Sequence, residues 1–521
     1  MTDLRGTSPV RTTNSRELAS GQASTHAGAP LALFCIALVL AAIAMNSNEL
    51  AETITFASVA MATFLLACLL AVAPGVRART LFDLRLGSWF FGYAAVAFGA
   101  ASISALVPAF VPPQVNIASI PGALFTLSIA FGLCAFGYSL RTIAAPLSLP
   151  IRSTRRTLER SSGTKPRSIP ALYVTFAVGI GADFATAALT GQYGYLGDAE
   201  LVTTESAAWY VQPLAIISSL RLAAIFGISL VAFSGKSTRV IPILAPALAI
   251  AVPLGLLTGM KESLVDIGLA VLLPYVLAKG RVRLAPILAF AAIFVFLITP
   301  FITQLRADVR SGAALTVGDA FQHGVDRILS PGDYLLGNDE SDSALQVLSR
   351  LRQVDNFVVI TDKTPDGIPF RDLSEIAVAP LTGMVPRGIW PDKPVRLAGY
   401  EFYRTYYEGL GRSSSAITPQ GSFYMHGGVS VVLVGMFAIG ILLRATDDAL
   451  SARSNQHGAL LLLFLAPDVV KQEMDVPGFL ASVIVICLMW FLAAFTIFKR
   501  SRGAGDGPTW SHQSSGTLSN P

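Results

Sequence analysis

Apolar runs of about twenty residues, repeated from residue 28 almost to the end of the chain, constrain this sequence more than any other feature. A helix needs ~20 apolar residues to cross the hydrocarbon core of a bilayer. Such runs occupy 28–45, 54–74, 86–108, 117–140, 169–190, 208–233, 240–258, 264–278, 284–302, 429–444, 458–468 and 479–498. The eighth is short. The eleventh is shorter still and ends at Pro467-Asp468, so it reads as tilted, half-inserted or re-entrant inside protein. Only 14% of the 521 residues are charged and 53% are hydrophobic. That excludes a soluble multidomain chain, in which ~25% of residues are charged, and a chain disordered throughout. Cys35, Cys68, Cys134 and Cys487 all sit inside apolar runs. They exclude a secreted disulfide scaffold and read as reduced core thiols. The expected fold is an all-α integral membrane protein of about 12 transmembrane helices.

The positions of Lys and Arg orient those spans. The net charge of +5 needs no nucleic-acid partner, because basic residues are expected in cytoplasmic loops. Twenty-three of them flank one side of the spans, among them Arg5, Arg11 and Arg16, and seven in the loop 141–168. The short loops opposite hold only Lys261 and Lys471, beside Glu49, Glu52, Asp198, Glu200 and Glu205. This bias puts both termini in the cytoplasm and requires an even number of spans.

The chain then divides into a disordered cytoplasmic tail (1–27), spans 1–9 (28–302), a large extracytoplasmic loop (303–428), spans 10–12 (429–498) and a second disordered tail (499–521). No internal repeat relates the two halves, which weakens an inverted-repeat transporter reading.

The loop 303–428 carries twelve Lys and Arg. Long outer loops escape the positive-inside bias, so these cations need another reason to be there. Leu345, Leu348, Leu351, Val354 and Val358 recur at helical spacing behind Ser341-Asp342-Ser343. They predict one helix lying on the membrane surface or capping the bundle, with Arg350 on its polar face and Arg352 on its flank. A second helix is expected around 399–408, with Tyr400, Phe402, Tyr403, Tyr406 and Tyr407. Those tyrosines either stack on sugars or pack the loop onto the bilayer interface. Between the two helices, Val385 to Pro394 holds three prolines and is stiff and non-helical. Such a turn presents Arg387, Trp390, Asp392 and Lys393. A guanidinium fork and an ammonium suit phosphate oxygens, and an indole face suits a pyranose. The alternative is a proline-stiffened surface loop whose cations pair with nearby carboxylates.

The run PRGIWPDKP at 386–394 resembles a signature of the bacterial O-antigen and exopolysaccharide repeat-unit polymerases (Wzy-like). Leu348 to Pro365 is similar to that family's Arg-containing helix and Thr-Pro turn. Thr418-Pro419-Gln420-Gly421 with Gly427-Gly428 is similar to its glycine-rich entry to the next span. Thr258-Gly259-Met260-Lys261 resembles a Gly-Ser-Arg stretch, with Lys261 in place of Arg, and Ser422 stands where Glu is frequent. The resemblance covers roughly 340–445. It implies a GT-C-like polymerase/ligase architecture in the bacterial inner membrane. It also implies transfer of a growing glycan from undecaprenyl pyrophosphate onto a new lipid-linked repeat unit at the outer face. A flippase and a chain-length regulator would be companion proteins, and no nucleotide sugar would be needed.

For that chemistry Arg387 and Lys393 are the candidate electrostatic catalysts of the departing pyrophosphate. Arg306 and Arg310, just past the ninth span, together with Arg352 and Arg404, are further substrate-binding candidates. Arg221 lies inside the sixth span, where a charge is expensive. It either reaches pyrophosphate through a membrane cleft or pairs with Asp183 or Asp266. Lys261 either binds substrate or pairs with Glu262. For a base, Asp392, His426 and His323 are available; a loop His can equally be solvated, and Asp392 can orient its cationic neighbours. No His, Cys and carboxylate cluster has metal-site spacing, so neither metal nor cofactor is expected. The rival readings are an O-antigen ligase, a lipid-linked oligosaccharide flippase or transporter, and a non-enzymatic assembly scaffold.

Overall fold

The computed structural model describes residues 28–72, 84–194, 196–197, 209–234, 240–280, 293–294, 298, 301–302, 305, 344–385, 389–390, 393, 398–409 and 415–500. Lys499, in the expected tail 499–521, is ordered in a strand. The expected tail 1–27, all but Lys499 and Arg500 of the expected tail 499–521, and nearly all of the ninth run lie outside this set. So do Ser341-Asp342-Ser343, the N-cap expected for the first loop helix.

Eighteen α-helices follow one another in the described chain. Ten belong to the first half: α1 (Gly28–Asn46), α2 (Leu50–Val72), α3 (Leu86–Ala94), α4 (Ile120–Ser139), α5 (Arg141–Ser162), α6 (Ile169–Thr190), α7 (Val211–Ser218), α8 (Leu220–Ser234), α9 (Val240–Leu257) and α10 (Lys261–Lys279). The loop contributes α11 (Ala344–Leu351), α12 (Val354–Lys363), α13 (Ser374–Met384), α14 (Ala398–Tyr406) and α15 (Pro419–Met425). Then come α16 (Gly428–Leu450), α17 (Gln456–Lys471) and α18 (Val476–Ile497). Among the described residues nine helical stretches are long and apolar enough to cross a membrane, the build of a multi-pass membrane protein. The eighth expected span is α10, whose Lys261, Glu262, Asp266 and Lys279 dilute its apolar character. The eleventh is the 16-residue α17, which continues through Pro467.

Large apolar side chains such as Leu31, Val39, Ile241 and Val434 remain exposed along these helices. Lipid, not water, is the solvent that leaves such side chains at no cost. Inside, small residues let backbones meet: a Cβ on Gly440 of α16 would lie 2.0 Å from the Cys134 carbonyl oxygen of α4. Phe90, Phe91, Phe98 and Phe131 fill the adjacent core. Asp447 of α16 caps α3, accepting from Leu86 N at 2.6 Å, Gly87 N at 3.0 Å and the Tyr138 hydroxyl at 2.7 Å.

Two local expectations change. The single helix predicted through 345–358 is two, broken at Arg352-Gln353. Gln353 N donates to the Ala97 carbonyl at 3.1 Å instead of continuing the helix, and Arg352 turns into the bundle. Val354 to Ile360 are all buried, so α12 caps the core and does not float on a surface. The basic segment 141–168, read as a loop, is mostly the helix α5. Arg155 donates to the last carbonyls of α16, Ala449 and Leu450, at 2.7 Å each. Strand β1 (Lys165–Pro166) pairs antiparallel with β4 (Phe498–Lys499), directly after α18. The other two strands, β2 (Gln192–Tyr193) and β3 (Leu196–Gly197), make a small hairpin.

Candidate functional site

Helix α13, with Pro380 inside it, is an element that apolar periodicity does not predict. It runs alongside the first turns of α18. A Cβ at Gly383 would fall 2.3 Å from the Ala481 carbonyl oxygen, so only glycine permits this approach. Its opposite face stays apolar and exposed at Val378, Leu381 and Met384, followed by Ile389 and Trp390. Asp372 starts the helix by accepting from Ser374 N at 2.8 Å. Bonds from the Ser374 backbone and side chain hold its carboxyl below the usual carboxylate range. Lys393 Nζ donates to the Val385 carbonyl at 3.1 Å, placing a cation where the carbonyl ends of α13 emerge. Lys393 and Trp390 of the sequence motif are therefore fixed at the far end of α13. Arg387 and Asp392 lie outside the described residues, as do Arg306, Arg310 and His323.

His426 stands at the other end of the same helix. Thr418 caps α15 by accepting from Gly421 N at 3.0 Å. Ser422 Oγ accepts from Val476 N at 3.1 Å, tying α15 to α18. Ser422 thus serves packing. His426 is 4% exposed, and its Nδ1 is 2.6 Å from the Ser422 carbonyl oxygen. A carbonyl only accepts, so Nδ1 carries the hydrogen and neutral imidazole leaves Nε2 bare. Among the described residues that Nε2 has no hydrogen-bond partner, and Glu375 Oε2, on the first turn of α13, is 3.8 Å away. Glu375 escaped sequence reading, since only the fold sets it beside the imidazole.

The other described candidates have protein partners. Arg352 gives four hydrogen bonds, two to Asp355, one to Ser104 Oγ and one to the Phe110 carbonyl, all at 2.7–2.8 Å. Arg404 is exposed and lies 5.6 Å over the Tyr400 ring. The tyrosines of α14 and its end pack inward: Tyr407 donates to Asn356 Oδ1 at 2.6 Å, and Tyr406 meets Thr364 Oγ1 at 2.8 Å. For those two, packing on α12 replaces both sugar stacking and the bilayer interface.

Arg221 pairs with Asp183 at 2.5 Å, the first of its two expected carboxylates. Glu262 pairs with Lys471 at 2.6 Å and not with its neighbour Lys261, because α17 brings the longer-range cation alongside α10. These pairs belong to a larger group. Glu262, Asp468, Lys471 and Arg221 all act electrostatically on Asp266, whose Oδ1 is buried without a partner. Glu473 adjoins Lys471 and accepts from Gln353 Nε2 at 3.3 Å. Burial pushes the Glu473 carboxyl up, against the pull of Lys471. Glu262, Asp468 and Glu473 all act electrostatically on the Lys471 ammonium. Five carboxylates thus surround Arg221 and Lys471 where α6, α8, α10 and α17 meet. Among the described residues no three His, Cys, Asp or Glu form a metal-binding group.

Residues 205–453 match a family model described as a domain of unknown function (DUF8712). That stretch contains Arg221, α10 and every described element of the loop, from α11 to α15. Nothing among curated proteins matches the chain, and no solved structure does.

Proposed function

We propose that this protein is a membrane glycosyltransferase of the O-antigen/exopolysaccharide polymerase type. It joins undecaprenyl-pyrophosphate-linked repeat units at the outer face of a bacterial cytoplasmic membrane. The observation that carries the reading is α13. This loop helix lies along α18 with Val378, Leu381 and Met384 exposed, and it leads straight into the Trp390-Lys393 segment of the motif. An apolar bar of this kind holds the motif at the depth of a lipid-linked pyrophosphate.

In this mechanism a hydroxyl of the acceptor unit attacks the anomeric carbon of the growing glycan. The bond from that carbon to the pyrophosphate oxygen breaks. The hydroxyl proton passes to the bare Nε2 of His426, and Glu375 steadies the resulting imidazolium. Lys393, with Arg387, offsets the charge that gathers on the leaving pyrophosphate. Arg352 serves the fold, since its hydrogen bonds go to Asp355, Ser104 and Phe110.

A second reading, a proton-coupled flippase or transporter, is favoured by the acid-rich group around Arg221 and Lys471. Charged side chains inside spans commonly mark such pathways. One experiment separates the two. Purified protein in vesicles is given a synthetic lipid-linked repeat unit. A glycan ladder supports the polymerase. Translocation of the unit driven by a pH gradient, with no ladder, replaces it with the transporter. Transfer to a different lipid acceptor without lengthening points to the ligase.

A further inference from the structure

Helix α5 belongs to none of this chemistry, yet its apolar and basic residues are set apart. One face is buried: Ala144, Ser148, Leu158 and Ser162 pack inward, beside Arg155 on the end of α16. A second face, at spacing i, i+4, i+7, carries Ile143, Leu147 and Pro150, all exposed. The opposite side carries Arg141 and, in the second half of the helix, Arg152, Arg156 and Arg160; all but the half-buried Arg152 are exposed, as is Leu149 in the first half of that side.

The position of α5 explains the division. It spans 22 residues, about 33 Å at the α-helical rise. Its first residue follows α4 after a single break at Leu140. Its end leads through β1 into α6, and β1 is paired with β4 at the end of α18. Both ends are therefore tied to the ends of membrane-crossing helices at one face, so α5 lies along that face. Its apolar side continues that of the spans: Phe136 of α4, exposed, meets Phe437 of α16 at 6.1 Å, and Phe437 packs on the Ala144 cluster.

The basic stripe lacks internal compensation. Glu159, the one acid of α5, is engaged by Arg155 at 3.1 Å and by Asn455 at 2.7 Å. Burial lowers the Arg155 guanidinium below its ordinary range; Glu159 opposes this, and the like charges of Arg156 and Arg152 add to it. An apolar first half followed by an arginine-rich second half at a bilayer surface is complementary to one ligand chemistry, an acidic phospholipid.

We propose that α5 is an interfacial binding site for acidic phospholipid. Its Ile143-Leu147 stripe enters the acyl layer, and Arg156 with Arg160 holds the lipid phosphate. This inference is independent of the glycosyltransferase reading.

The test compares phosphatidylglycerol with phosphatidylcholine bound to the purified full-length protein, counted by native mass spectrometry from mixed micelles. Wild-type protein retains phosphatidylglycerol preferentially. Arg156→Gln with Arg160→Gln weakens that retention about tenfold or more and leaves phosphatidylcholine unchanged. Arg156→Lys with Arg160→Lys, which keeps the charge, largely preserves it. A Leu147→Trp variant in vesicles gains emission quenched by acyl-brominated lipid. Equal retention of the two lipids by the wild type overturns the proposal, whatever the variants do. So does an unquenched Trp at 147, or a double Gln variant that still prefers phosphatidylglycerol.

Discussion

Arg352 grips Asp355 through two parallel hydrogen bonds, Nε to Oδ1 at 2.7 Å and Nη2 to Oδ2 at 2.8 Å, with both side chains nearly sealed from solvent. The same guanidinium reaches Ser104 and Phe110, so it fastens the loop helices to the irregular end of the third span. Removing one partner of such a pair leaves a buried charge alone, which costs about 3–5 kcal/mol. Arg352→Ala should therefore lower the unfolding temperature of detergent-purified protein by many degrees. Arg352→Met with Asp355→Leu should recover most of it. A single mutant as stable as wild type would show that the pair does not hold α11 and α12 in place.

Gly383 sets how closely α13 approaches α18. Gly383→Val puts a side chain into the Ala481 carbonyl, an overpacking cost of about 1–3 kcal/mol. Because α13 lies at the edge of the bundle, it should shift outward and leave the fold standing. Ladder formation should fall by about tenfold or more for a ~1 Å misplacement of the motif, with only a modest drop in unfolding temperature. Gly122→Ala, where a Cβ meets nothing within 4 Å, is the control and should be neutral. Full activity in Gly383→Val removes α13 from the site.

Most of the membrane-crossing frame was legible from apolar run length alone, since nothing but lipid accepts residues 28–46 or 476–497 as continuous helices. The loop was less legible because its rules are tertiary. Pro380 signals a break, yet α13 runs through it on the support of α18. Periodicity through 345–358 signals one helix, yet Arg352 and Gln353 find better partners in Ser104 and Ala97 and the chain turns. Arg221 was visible as a charge inside a span, but Asp183 was one of two acids it could reach, and only helix packing chose. The amphipathic α5 was masked by its arginines, which read as topology markers before they read as one face of a helix.

Glu473 offers a pH test. Burial raises its folded-state pKa above the ordinary 4.5, so the folded protein binds more protons than the unfolded one between those values. Stability should then fall as pH rises from about 4.5 through the raised pKa. Glu473→Gln lacks this term. Its unfolding temperature should gain on wild type as pH rises to neutrality, and the two curves should converge in acid. A difference that shrinks toward neutral pH would mean that the Lys471 attraction outweighs burial.

Arg387 carries the motif's guanidinium, and its role rests on the chemistry of the leaving group. Arg387→Ala should abolish polymer while leaving the protein in the membrane at normal abundance, because one preorganised donor to a developing anion contributes ~10²–10³-fold in rate. The readout is glycan length in cells, beside membrane immunoblotting. Polymer of normal length in this mutant refutes the site assignment.

His426 and Glu375 make a sharper case, because the fold has already chosen the imidazole tautomer. With Nδ1 held by the Ser422 carbonyl, only Nε2 can take a proton. Replacing a general base usually costs ~10²–10⁴-fold, and His426→Ala should fall in that range for the rate of ladder formation. Glu375 sits 3.8 Å from Nε2 and acts through it, so Glu375→Gln should cost less. A structural role for His426 predicts something different: unfolding temperature and activity falling together in His426→Ala, and full activity in Glu375→Gln.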